Sequence, residues 1–215
     1  MNHNISILNA ALKLYPDFFS HLSYMCENAE GVRYSKVMVK KGYPAIILID
    51  KCASEFLSHE LSGVGFQTEH NLNESDTAVV FLRNPNKRYL SAMITLTYIF
   101  HKVLGCHELA FNNIERSLQE DRFILGDHTC PQHIFVDVLD PNVKFLTTDK
   151  NIQRQLKEEC KINITNNIPV HTKKDYPEYI QKFCKEMFEK YCNNNSIFNK
   201  LYEKDWKLYR SVCSD

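Results

Sequence analysis

The stretch Thr77–Ala92 reads TAVVFLRNPNKRYLSA. Its apolar run, Ala78 to Leu82, is β-branched and aromatic enough to read as a buried strand. Asn84-Pro85 breaks the strand, and Asn86 can cap a helix whose first turns carry Lys87, Arg88 and Ser91. Arg83 then stands at the carboxyl end of the strand, with the Ser91 hydroxyl eight residues further on. Both can point into one crevice. A guanidinium offers a planar fork of donors that matches a phosphate, and a serine adds one more. Arg88, one turn before Ser91, either contacts the same phosphate or is a solvated helix arginine.

Working outward, Pro44–Leu61 reads PAIILIDKCASEFLSHEL. Ala45–Ile49 is a second fully apolar run, suited to a buried parallel strand. The loop Asp50-Lys51-Cys52-Ala53-Ser54 follows, and then an amphipathic helix from about Glu55. Strand, small-residue loop and helix together aim backbone N–H groups at an anion, with the helix dipole assisting. Lys51 is placed to reach the bound group. No G-x-x-x-x-G-K-[ST] occurs, which speaks against an ordinary ATPase or kinase.

Strand followed by R-N-P-x-x-R-x-x-S-A resembles the 3′-phosphate motif of sulfotransferases that use 3′-phosphoadenosine 5′-phosphosulfate (PAPS). The Lys51 loop resembles that family's 5′-phosphosulfate loop, with Cys52-Ala53 and Glu55 where glycine and hydroxyl residues are common. Asp127-His128-Thr129-Cys130-Pro131-Gln132 is similar to the D-x-H-x-x-P-Q segment of the carbohydrate-type members. Leu201 to Tyr209 resembles the closing I-Y-x-x-D-x-x-L-F helix. The resemblance implies a P-loop-nucleotide-kinase-like sulfotransferase fold and sulfuryl transfer from PAPS to an acceptor hydroxyl, a carbohydrate first. No metal is implied. Lys51 would contact the phosphosulfate bridge, Ser54 and the amides of Cys52, Ala53 and Ser54 the 5′-phosphate, and Arg83 and Ser91 the 3′-phosphate. His128 is the first choice as base, with Glu69 and His70, after an expected strand at Val64–Thr68, as the other candidates. Lys173 and Lys174 are either a loop closing over the donor or a solubilising pair.

Further along, Val143–Thr148 reads as a strand, and Asp149 can cap a helix running to Cys160. Tyr176–Cys192 and Ile197–Val212 read as two amphipathic helices separated by three asparagines. Strands alternating with helices imply an α/β, three-layer architecture with a mainly parallel central sheet. Ligands in such sheets sit beyond the carboxyl ends of the strands, where Lys51 and Arg83 both fall. The expected organisation is a single domain over 1–215, with an N-terminal helical addition (1–30), a donor-binding core (44–160) and C-terminal helices (175–212).

A formal net charge of zero argues against broad nucleic-acid or membrane-surface binding, so the donor pocket must be locally basic. No run reaches the roughly 18 apolar residues of a membrane-spanning helix, and no charged-then-apolar leader pattern opens the chain. A cytoplasmic protein is expected. Eight cysteines without C-x-x-C pairs read as reduced thiols, with Cys184 and Cys192 on a packed helix face. Three rivals stand beside the transferase. One is a zinc site drawn from Cys106, His107, His128, Cys130 and His133. The others are a nucleotide-binding module without turnover and a kinase-like phosphoryl transferase, against which the missing Walker glycines speak.

Overall fold

Five short strands form one mixed sheet in the order β3-β1-β2-β4-β5. They are β1 (Lys36–Val39), β2 (Ala45–Leu48), β3 (Gln67–Glu69), β4 (Ala78–Leu82) and β5 (Val143–Thr147). The computed structural model describes residues 36–49, 51–69, 77–135, 142–164 and 176–213. The expected N-terminal helical addition, His70 and the Lys173-Lys174 pair lie outside the described residues. The described residues divide into two compact units, one built from residues 36–88, 131–164 and 202–213 so far as they are described, the other from 89–130 and 176–201.

The first unit carries the sheet. Strands β2, β4 and β5 are parallel, as the continuous apolar runs of β2 and β4 imply. The other half is antiparallel, so the sheet is mixed: β1 pairs with both β2 and β3. The β1–β2 hairpin closes through Tyr43 N donating to Lys40 O at 3.1 Å, with Gly42 at φ 84°, a conformation that side chains resist. Nothing in the sequence announced β1. Its apolar core, Val37 to Val39, is shorter than the usual strand signal and lies close to lysines.

One sheet face sends Ile46, Leu48, Val79, Phe81 and Leu146 into a core shared with Leu57, Leu61, Ile152 and Leu156. Those last four belong to helices α1 (Ser54–Gly63) and α4 (Ile152–Cys160). Burying each such side chain is worth roughly 1.5–3 kcal/mol. Their neighbours in the strands, Ala45, Ile47, Ala78, Val80 and Leu82, are buried too, which is why these strands show no polar alternation. The last helix, α7 (Glu203–Cys213), packs on β5 and on a short 3-10 turn, Gln132–Phe135.

Several boundaries differ from the sequence expectation, each for a local reason. Val64 and Gly65 close α1 instead of opening a strand: Val64 N donates to Glu60 O and Leu61 O, and Lys40 Nζ donates to Val64 O at 2.6 Å. Strand β3 therefore starts at Gln67. Helix α2 (Pro85–Leu104) is capped by Asn84, whose Oδ1 accepts from Lys87 N at 3.1 Å; Pro85 then occupies the first helical position, which tolerates a missing N–H. Asn86 is not the cap. Helix α4 is capped by Asn151, whose Oδ1 accepts from Arg154 N at 2.9 Å, and Asp149 is engaged elsewhere.

The described part of the second unit is helical, comprising α2 from Tyr89 onward, α3 (His107–Gln119), α5 (Glu178–Tyr191) and α6 (Ser196–Leu201). Helices α3 and α5 pack along Ala110, Ile114 and Leu118 on one side and Ile180, Cys184 and Phe188 on the other, all buried. Phe198 is an aromatic hub, with ring centroids 4.9 Å from Tyr89, 5.3 Å from Phe123 and 5.9 Å from Phe188. The Tyr89 hydroxyl donates to Phe123 O at 2.9 Å. Asn195 Oδ1 accepts from Ile197 N and Phe198 N, starting α6, so the expected helix over 197–212 is two helices broken at Tyr202. Among the described residues no helix is long and apolar enough to cross a membrane.

Candidate anion-binding site

The loop between β2 and α1 turns sharply because two of its residues take left-handed backbone conformations, Lys51 at φ 64° and Ala53 at φ 60°. For a residue with a Cβ this costs roughly 1–2 kcal/mol. Cys52 N donates to Ile49 O at 3.0 Å, which fixes the loop's exit from the strand. Ala53 is the N-cap of α1 and supplies no side-chain oxygen to it. The loop thus brings the positive end of α1 and the half-buried Ser54 to the carboxyl end of β2.

Arg83 leaves β4 beside this loop, and its Nη1 donates to Lys51 O at 3.0 Å. Among the described residues it forms no ion pair with a carboxylate. Burial pulls its pKa down, with Cys52 and Asp149 acting the other way, but a guanidinium stays charged. Arg88 is buried rather than solvated, only 1% exposed, and its side chain hydrogen-bonds the Cys52 thiol. Burial pushes that thiol up to about 11, against the opposing effect of both arginines. Two guanidinium groups thus converge on one loop.

Gln132 holds the arrangement in place. Its Oε1 accepts from Arg83 N at 2.9 Å and from the Cys52 thiol at 3.1 Å, while its Nε2 donates to Arg83 O at 2.9 Å. The side chain therefore acts as an extra strand residue, satisfying both backbone groups of Arg83 where β4 ends. Gln132 is in turn fixed by Asp205 of α7, whose Oδ2 accepts from Gln132 N at 2.6 Å and whose Oδ1 accepts from His133 N at 2.8 Å. Asp149, at the exit of β5, accepts from Tyr209 OH at 2.7 Å, Lys87 Nζ at 3.0 Å and Asn84 N at 3.3 Å. It ties the turn after β4 to α7.

The structure thus brings together Lys51, Cys52, Ala53, Ser54, Arg83 and Arg88. Glu69 is exposed and ends β3, two strands away from β2, a lateral separation of roughly 10 Å. Ser91 and His128 belong to the helical unit. Ser91 is half-buried, one turn after Arg88 on α2, and its carbonyl accepts from Thr95 Oγ1 at 3.1 Å. His128 is half-buried in a 3-10 turn (Asp127–Thr129) pinned by Thr129, whose Oγ1 accepts from Leu125 N at 2.8 Å and donates to Gly126 O at 2.7 Å.

Gln132 and Asp205 were not among the expected site residues. Both lay inside the P-Q and Y-x-x-D segments, and their polar identity within otherwise apolar surroundings was the available signal. The zinc alternative gains no geometry: among the described residues no group of three or more His, Cys, Asp or Glu is placed to hold a metal ion. A recess of about 430 Å³, lined by Tyr43, Pro44, Thr77 and Lys161, lies at the amino ends of β2 and β4, away from the arginines. Parallel strands bind ligands at the other end. No family model, curated protein or solved structure matches the chain.

Proposed function

We propose that the protein is a sulfotransferase that takes the sulfuryl group from PAPS and passes it to an acceptor hydroxyl, a carbohydrate first, in the cytoplasm. The observation that carries the reading is Arg83. It is a partly buried guanidinium that makes no ion pair with a carboxylate among the described residues, feels Asp149 only at longer range, and is clamped by Gln132 beside a left-handed loop at a helix N-terminus. Partial burial weakens the solvation of such a charge, and an anionic ligand offsets that loss. A phosphate fits the fork geometry.

In this reading Arg83 grips the 3′-phosphate. The loop amides and Ser54 hold the 5′-phosphate. Lys51 stabilises charge on the bridging oxygen as the bond to sulfur breaks, the kind of contribution that grows in the transition state. Holding donor and acceptor in line supplies the rest. A nucleotide-binding module without turnover is the second reading. It is favoured by Ala53, which occupies a strained left-handed position where a glycine would be at ease, and by Glu55 in the first turn of α1.

The test is calorimetric binding of adenosine 3′,5′-bisphosphate (PAP) against 5′-AMP and ATP, for the wild type and Arg83→Ala. Preference for PAP, abolished in the variant, is the expected result. Binding indifferent to the 3′-phosphate would remove the donor-site reading. PAP binding without consumption of PAPS in the presence of sugar acceptors would favour the module.

A further inference from the structure

We propose that His133, oriented by Asp205, is the general base that accepts the acceptor's proton, an inference that rests on the donor-site reading above. It takes the role for which the motif resemblance put forward His128. His133 Nδ1 lies 2.8 Å from Asp205 Oδ1, and the Asp205 side chain is fully buried. A carboxylate only accepts, so the imidazole is the donor at Nδ1, and in the neutral ring the lone pair is left on Nε2. Nε2 has no hydrogen-bond partner among the described residues, and the side chain is 15% exposed.

An imidazole whose tautomer and orientation are set by a buried carboxylate, with the opposite nitrogen unpartnered among the described residues, is the arrangement that general bases share across unrelated folds. Its position fits the role. The neighbouring residue, Gln132, grips the backbone of Arg83 and the thiol of Cys52. Asp205 is linked to Cys52 in the Lys51 loop through Gln132, whose N donates to Asp205 Oδ2 and whose Oε1 accepts from the Cys52 thiol. The dyad therefore borders the donor loop within the sheet unit.

In the reaction His133 Nε2 takes the proton of the acceptor O–H as that oxygen attacks sulfur. One S–O bond forms, the bond from sulfur to the bridging phosphate oxygen breaks, and its electron pair leaves with PAP. The imidazolium then faces Asp205, which stabilises it, and returns the proton to solvent.

The test uses PAPS itself, with water as acceptor, and compares the wild type with His133→Asn. An asparagine amide N–H replaces Nδ1–H, so the bond to Asp205 and the fold are retained while the base is lost. The expected result is unchanged affinity for PAP and PAP release slowed ~10²–10⁴-fold. Release at the wild-type rate overturns the assignment. So does a wild type that binds PAP yet does not release it from PAPS, which leaves the donor site standing. A wild type that does not bind PAP removes the donor reading and this inference with it. If His133→Asn does not fold, carbethoxylation of wild-type His133 by diethyl pyrocarbonate decides. Protection by PAP is expected, and modification indifferent to PAP overturns the proposal.

Discussion

Replacing Asp205 by asparagine removes one oxygen acceptor from the centre of the clamp and leaves the shape nearly intact. The carboxylate accepts three hydrogen bonds, from Gln132 N at 2.6 Å and from His133 N and Nδ1 at 2.8 Å each. An asparagine can serve His133 through its one oxygen, at neutral rather than charged strength, but it then turns an NH₂ toward the Gln132 N–H. One charge-assisted bond, worth roughly 1.5–3 kcal/mol, is lost, and a buried N–H is left without an acceptor at a further cost of about 1–3 kcal/mol. The expected loss is about 4 kcal/mol. At about 2–4 °C per kcal/mol for a chain of this length, thermal unfolding should fall by ~8–16 °C. The assay is thermal denaturation followed by circular dichroism. Glu158→Gln serves as the control, since it removes only an exposed ion pair with Arg154 on α4 and is expected to cost under about 0.5 kcal/mol. A shift for Asp205→Asn no larger than that control's would refute the claim that this carboxylate anchors Gln132, and through it Arg83.

Ala53→Gly should raise stability by about 1 kcal/mol, or ~2–4 °C, because a glycine adopts φ 60° without a Cβ penalty; an unchanged or lowered melting temperature would show that the loop is not strained. For Asp149, burial raises the carboxyl pKa, but hydrogen bonds from Tyr209, Lys87 and Asn84 outweigh it and leave the folded value below the ordinary 3.8. A depressed folded pKa stabilises above the unfolded value and loses that contribution as pH falls through the folded one. The stability gap between wild type and Asp149→Asn should therefore be constant at neutral pH and close below about pH 4; a gap that persists in acid would contradict this. Burial pushes Cys52 up to about 11 and Cys184 and Cys192 up to about 12. Maleimide labelling of the native protein near pH 8, read by peptide mass spectrometry, should mark the half-buried Cys106 and Cys213 and spare those three; rapid labelling of Cys52 would contradict its burial.

The parallel strands β2 and β4 were legible in the sequence because strands buried on both faces must be apolar at every position, and such runs are visible without knowing their partners; β5, at the sheet edge with Lys144 exposed, was legible from its Val-x-Phe-Leu pattern alone. Helix starts were legible only to within a few residues. Asn84 and Asn86 are equally good caps by type, and the choice fell to Asn84 because Pro85 occupies the next position. The positions of Lys51 and Arg83, each just past the carboxyl end of a strand, were legible because a strand end followed by a helix start is a local pattern. Strand β1 could not, since four residues carry too little pattern and its pairing is set by a hairpin, whereas the strand expected at Val64–Thr68 exists as β3 with its start moved to Gln67 because Val64 and Gly65 close α1.

What only the tertiary structure decided is the clamp. Arg83 and Gln132 are 49 residues apart, and Gln132 and Asp205 are 73 apart. The value of a buried amide or carboxylate there depends on which donors surround it, a property of long-range packing and not of local spacing. From its sequence Arg88 was equally a solvated helix arginine, and from its sequence His133 was only a soft ligand among several. Burial against the Cys52 thiol settled the environment of the first, and the Asp205 carboxylate set the orientation of the second. Chain-local chemistry placed a turn and an arginine at two neighbouring strand ends; desolvation and distant partners determined which charged groups surround them.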